Sequence, residues 1–288
     1  MRIRAFIPVL LLAGAVIGCK TEFDTLLNGT DFEAKYRGAF SYFDRAKYTK
    51  AAELFESLSF AYNGTEREDT VQYYWGLSNY MYGDYETAET NFTSFLTNFP
   101  RSPFAESAAF LRVDCLYDKT LRYELDQTPT NQAITAISEY LIDYPDTRHR
   151  EECNEMLRDL GERLDRKAYE NARLYYKMED YMAARVALRN VLKEDADNIY
   201  REDILYYTAM ASFRYADLSV ESKQRERFLS FVDDYLNFIG EYPESPYRKE
   251  LDGLYKRAQT ALGRFEGAVD EVREKAADVE RNQGLEAD

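Results

Sequence analysis

Beyond residue 30 the chain is written in pairs of helices, and a single pair of this kind cannot fold alone. Ala39 and Tyr42 are followed by Tyr48, Ala51 and Phe55, and Gly76 by Gly83-Asp84-Tyr85, Ala88, Phe92, Phe95 and Pro100. Val113 leads through an extended connection, Asp126-Gln127-Thr128-Pro129, to Ala133, Ile137, Tyr140 and Pro145. Ala172 and Tyr175 lead to Asp180-Tyr181, Ala184, Leu188 and Val191. The spacing within each stretch is helical, and no run alternates long enough to argue for a sheet. Prolines fall at the ends of the periodic stretches, where a missing N–H costs least. A small residue on each helix lets two backbones approach, an aromatic opening the second helix plugs the gap, and a proline closes the unit. One such pair leaves an apolar face bare, so pairs must stack.

The pattern resembles the tetratricopeptide repeat, whose period is ~34 residues. The fold class it predicts is all-α: a tetratricopeptide-repeat solenoid of about five helix pairs with a C-terminal capping helix. The fifth pair is irregular. Ala209 and Ala211 lie on its first helix and Tyr235, Phe238 and Pro243 on its second, but bulky Phe231 stands where a small residue is expected. From Arg148 to Met178 the pattern runs on through Met156, Leu157, Leu160 and Leu164, predicting one long helix that opens the fourth repeat, with Gly161 its weak point. The expected organisation is N-terminal repeats over 31–145, C-terminal repeats and cap over 146–283, with the last helix at about 246–279, and a frayed tail at 284–288.

The start of the chain carries a separate message. Arg2 and Arg4 precede a short apolar run that ends in Val16-Ile17-Gly18-Cys19. A basic flank with a short apolar core is a secretory signal, and the run is too short for a comfortable membrane span. The ending resembles the bacterial lipobox. Residues 1–18 then form a lipoprotein signal peptide, Cys19 carries diacylglycerol and an N-acyl chain, and 19–30 is a lipid-anchored linker. Two or more acyl chains attach firmly where one is marginal. The precursor's net charge is −15, and the leader removes two arginines and no acid, leaving −17. Such acidity excludes nucleic acid as a partner and argues against the body lying flat on anionic lipid. Of the cysteines, Cys115 and Cys153 remain; in an exported protein they form either one disulfide or two small buried thiols.

Twenty-five tyrosines and seventeen phenylalanines need a place. With Ala39, Gly76 and Val113 as the close-packing position of each first helix, the positions three before, one after and four after face the inner wall. These are Tyr36, Phe40 and Phe43; Tyr73, Leu77 and Tyr80; Phe110, Asp114 and Tyr117. Seven of the nine are aromatic, which a solvated face would not show. They line either a groove for an extended peptide or the contacts between repeats, the usual use of such stripes in solenoids.

The chain is further similar to the BamD family, the lipoprotein subunit of the β-barrel assembly machine. The features that carry the resemblance are Cys19, Tyr144-Pro145-Asp146 with the long helix behind it, Leu125-Asp126-Gln127-Thr128, and Glu170-Asn171-Ala172-Arg173-Leu174-Tyr175-Tyr176 followed by Asp180-Tyr181-Met182-Ala183-Ala184. The resemblance implies a non-catalytic outer-membrane assembly factor, lipid-anchored and facing the periplasm. It implies that the C-terminal half binds the periplasmic POTRA domain of BamA. The N-terminal half would receive unfolded β-barrel proteins, whose C-terminal signal ends in an aromatic residue.

Little in the chain suggests catalysis. His149 is the one histidine, flanked by Arg148 and Arg150 at a helix start; it reads as an exposed cap residue or a pH-sensitive contact. No second histidine completes a zinc site or a nucleophile-activating pair, and no phosphate-binding loop appears, so no metal or cofactor is expected beyond the acyl chains. Glu151-Glu152 and Asp233-Asp234 read as solvated helix faces, since neighbours on a helix diverge. Two other functions use the same architecture. One is a periplasmic adaptor coordinating envelope or division machinery. The other is a glycan-capturing surface lipoprotein, disfavoured by the single Trp75.

Overall fold

The computed structural model describes residues 21–264. The leader, Cys19, the far end of the predicted cap and the tail at 284–288 lie outside the described residues. Twelve helices follow one another within them, with no strand among the described residues. A short α1 (Glu22–Asn28) precedes five pairs: α2 (Phe32–Asp44) with α3 (Tyr48–Ala61), α4 (Glu68–Tyr82) with α5 (Tyr85–Asn98), α6 (Ala105–Asp118) with α7 (Thr128–Asp143), α8 (Arg150–Lys177) with α9 (Tyr181–Glu194), and α10 (Arg201–Asp217) with α11 (Glu221–Glu241). Residues 248–264 form α12. No helix among the described residues is long and apolar enough to cross a membrane. The chain divides into two compact units, one running through Thr120 and resuming over Pro129–Arg150, the other made of Leu121–Thr128 and everything from Glu151.

The small residues read from the sequence sit where helices touch. Ala39, Ala51, Ala88, Ala133, Ala172 and Ala184 are buried, as are the larger Phe55, Phe92, Phe95, Ile137 and Leu188 beside them. Gly76 has a steric reason to be glycine: a Cβ there would stand 2.9 Å from Phe92 Cε1. Tyr175 does not take the packing role expected of it and is exposed; its neighbour Tyr176 packs instead, edge-on to Tyr181 at 5.4 Å. The fifth pair forms despite Phe231. That ring is fully buried and meets Phe213 edge-on at 5.2 Å, in a cluster that also holds the small Ala209 and Ala216 of α10. The long helix is continuous through Gly161.

Two local devices recur. The first closes three helices in the same way. The amides of Ala46, Gly83 and Glu179 donate three residues back, and those of Lys47, Asp84 and Asp180 five residues back. This is the left-handed helix ending that favours glycine, yet Ala46 and Glu179 hold it at φ 56° and 63°. Glu179→Gly is therefore expected to stabilise the second unit by about 0.5 kcal/mol, the relief of left-handed strain less the added freedom of the unfolded chain. A rise in urea midpoint with unchanged slope would show it. After the turn, Asp84 and Asp180 cap the next helix, accepting from Thr87 and Ala183 amides at 3.1 Å. Lys47, at the matching place in the first repeat, makes no side-chain cap. An uncapped helix start forgoes about 1 kcal/mol.

The second device joins one repeat to the next. Thr65, Ser102, Thr147, Asn198 and Ser245 each accept, through the side chain, the amide two residues on. Short side chains of this kind shape turns in just this way. Tyr144-Pro145-Asp146-Thr147 is one such junction.

The stretch expected as a plain linker, 19–30, contains α1. Thr21 and Asp24 form a capping box, and Phe23 is buried edge-on to Tyr42 at 5.6 Å. Leu26 lies over Gly38, where a Cβ would come 2.6 Å from its Cδ1. Lys35, only 3 % exposed, donates to the Leu27 carbonyl at 2.9 Å and to Ser57 Oγ at 2.8 Å. The cysteine alternatives resolve into two buried free thiols. Burial pushes Cys115 up to about 12 and Cys153 to about 11.

Candidate functional site

In the first unit the phase set by Ala39, Gly76 and Val113 holds, and all three are buried. The residues predicted to line a groove are packed more closely than an open groove requires. Tyr36 and Phe40 meet at 4.9 Å, and Phe40 and Phe43 lie edge-on to Tyr74 at 4.7 and 5.3 Å. Arg67 reaches over the Tyr36 ring and pairs with Glu33 at 2.7 Å. Tyr73 is only 7 % exposed: it stacks on Phe104 at 4.5 Å and shares a 2.8 Å hydrogen bond with Ser107. Leu77 packs beside it.

The third set continues the strip. The Tyr80 hydroxyl donates to Asp114, the polar member of the nine, and burial followed by that carboxylate raises the Tyr80 pKa. Phe110 touches Tyr140 at 5.8 Å and stacks flat on His149 at 3.6 Å. His149 is thus half-buried under an aromatic ring rather than exposed, and accepts from Arg148 Nε at 3.0 Å. Apart from Tyr73, the predicted residues are half-buried, so each keeps part of its surface. The hub of the network, Tyr74, was not anticipated: it meets Phe40, Phe43, Phe55, Tyr73 and Phe104. Its position, two before the close-packing glycine, is Arg37 in the first repeat and Leu111 in the third, so no signal repeated across this unit marks it.

In the second unit the end of the α8–α9 hairpin is bare. Leu174, Tyr175, Met178, Met182 and Val186 are all exposed, within thirteen residues that bracket one tight turn. Exposed apolar side chains grouped in this way mark an interaction surface more often than isolated ones do. Behind them lies a charged core that the sequence reading placed in solvent. Asp234 is 5 % exposed. It accepts from Arg185 Nε at 2.7 Å, from Arg189 and from the Ser212 hydroxyl. Only Asp233 of that pair, and both Glu151 and Glu152, face solvent. Among the described residues no group of three or more His, Cys, Asp or Glu is placed to hold a metal ion.

Comparison with known proteins bears on both units. A family model described as "YfiO: Outer membrane lipoprotein" matches residues 30–227. The outer membrane protein assembly factor BamD of Caulobacter vibrioides is 23% identical over 238 residues, covering 82% of this chain and 76% of its own. BamD of Rickettsia prowazekii is 22% identical over 260 residues, 90% of this chain and 100% of its own. Among solved structures, a tetratricopeptide repeat protein from Parabacteroides merdae aligns over 85% of this chain and 79% of its own, at 13% identity and a TM-score of 0.33. The family model spans four helix pairs, α10 and the start of α11, well over half the chain, and so this protein belongs to the YfiO family of outer membrane lipoproteins, the BamD family.

Proposed function

We propose that the chain is a non-catalytic outer membrane protein assembly factor that works by holding other polypeptides. Membership of a family whose relatives bear that name carries the reading. Acyl chains on Cys19 tether it to the outer membrane with the body in the periplasm. The second unit docks on the periplasmic POTRA domain of BamA. The first unit receives the C-terminal segment of unfolded β-barrel proteins. Tethering several weak contacts to one surface raises their effective concentration, so none needs high affinity of its own.

The exposed hairpin end is the surface in the second unit best suited to a protein partner, because Met and aromatic side chains are favoured in interface cores. Met178→Lys with Val186→Lys is expected to cut recovery of BamA with the tethered protein by at least tenfold. Both side chains are exposed, so the melting temperature should not move. Pull-down from membranes measures this, and undiminished recovery would rule out that surface.

For the client strip, Tyr36, Phe43 and Tyr117 are the useful positions, since each keeps part of its surface, whereas removing Tyr73 would open a core cavity. Replacing the three by serine should weaken binding of a peptide ending in an aromatic residue about tenfold, with helical circular dichroism retained. Unchanged binding would assign the strip to packing alone.

A further inference from the structure

The first repeat departs from the second and fourth at the cap of its second helix. Where Asp84 and Asp180 cap their helices, it has Lys47, whose side chain caps nothing. Lys47 is one of three cations in the seven residues 44–50, with Arg45 and Lys50, against a single acid, Asp44. In a chain of net charge −15 this is a local reversal of sign. Among the described residues none of the three forms an ion pair. Arg45 lies 4.7 Å over the Tyr42 ring, and Lys50 lies 5.6 Å over that ring and 5.0 Å over Phe23. Lys50 thereby ties this cationic stretch to the first turn of α1.

Helix α1 cannot swing away freely. Phe23 is buried against Tyr42, Leu26 closes over Gly38, and Lys35 holds the Leu27 carbonyl. Its N-cap, Thr21, follows Cys19 by two residues, a reach of at most about 7 Å. Asp24 of α1 is engaged by Thr21 in the capping box.

We propose that the α2–α3 turn is a membrane-docking surface, with Arg45, Lys47 and Lys50 meeting the anionic headgroups of the leaflet that holds the acyl chains. Helix α1 is then a stiff mount rather than a slack leash. The proposal rests on the acylation of Cys19. The acidic body as a whole is repelled by an anionic leaflet, and the cationic turn is attracted, so together they orient the first repeat with this turn down. Each cation near such a surface is worth roughly fivefold in partitioning. Keeping Lys47 in place of a capping aspartate sacrifices helix stability for that contact.

The test uses the full acylated protein in proteoliposomes, with or without phosphatidylglycerol in phosphatidylcholine. Its intact mass is measured first, and amine-acylation rates are then read lysine by lysine. Lys47 and Lys50 should label at least fivefold more slowly with the anionic lipid than without it, and high salt should erase the difference. Lys223, exposed on α11, should label equally in both. Lys47→Asp should raise the melting temperature by about 2–4 °C through the added cap, yet abolish the protection of Lys50. A purely structural role for Lys47 would not move the two readouts in opposite directions. Lysines that label alike in both vesicle types, or Lys50 still protected in the variant, would overturn the proposal. An unacylated mass would overturn the anchor reading and this proposal with it, whereas an acylated chain with unprotected lysines overturns this proposal alone.

Discussion

Asp234→Ala is expected to destabilise the second unit by about 3 kcal/mol, the lower end of what removing one partner of a buried ion pair costs. The carboxylate ties three helices together. It accepts from Arg185 of α9 at 2.7 Å, from Arg189 one turn further along α9, and from Ser212 of α10, while itself belonging to α11. Without it two guanidinium groups repel each other and the buried Ser212 hydroxyl loses its acceptor. Arg189 is about half exposed and Arg185 about a quarter, so both rehydrate partly, which keeps the loss from the top of the range. Asp233→Ala, one residue away and exposed, should stay within about 0.5 kcal/mol of the parent. Urea unfolding of the two variants side by side makes the comparison. Equal midpoints would mean that the cluster holds nothing together.

The second large effect is alkaline unfolding. Burial first, and then the carboxylates of Asp114, Asp203, Glu250 and Asp252, raise the hydroxyls of Tyr80, Tyr169, Tyr206 and Tyr235 above their usual value near 10, Tyr235 to about 12. Tyr247 is raised to about 12, chiefly by its hydrogen bond to Asp203. Cys115 and Cys153 shift in the same direction. In each case the folded state holds its proton more tightly than the unfolded chain. The stability this provides is complete below the unfolded pKa and is lost as pH rises through the folded one. Lys35 opposes the trend, because burial lowers its pKa and stability grows as it sheds its proton; it is one group against many. Helicity should persist to about pH 10 and collapse cooperatively by about pH 12. Tyrosinate absorbance should rise in two phases, the later one coinciding with helix loss. A single titration phase with helices intact at pH 12 would contradict the shielding of these hydroxyls in the fold.

The helix pairs were legible in the sequence because stacking imposes small residues at fixed places. Ala39, Gly76 and Val113 announce the close approach, and all three are buried. The 28-residue α8 was legible for the same reason, as an apolar stripe with no breaker. What escaped was set by partners far away in the chain. Asp234 looks solvated until Arg185, 49 residues earlier, is brought to it. The helix at 22–28 is too short to show a period, and it is fixed by Phe23 meeting Tyr42 and by Lys35 reaching back to Leu27. The aromatic strip was found by phase, but phase says which way a ring points and not whether its neighbours cover it. Tyr73 and Phe104 are 31 residues apart, and only the folded chain stacks them.

The direct test of the scaffold account is depletion of the protein in growing cells, followed by quantification of outer-membrane β-barrel proteins. The account predicts that many unrelated barrels fall together. It also predicts that the wild-type chain restores them, while a chain carrying Met178→Lys and Val186→Lys does not. Normal barrel levels accompanied by a division or envelope-synthesis defect would contradict it and point to the adaptor role instead.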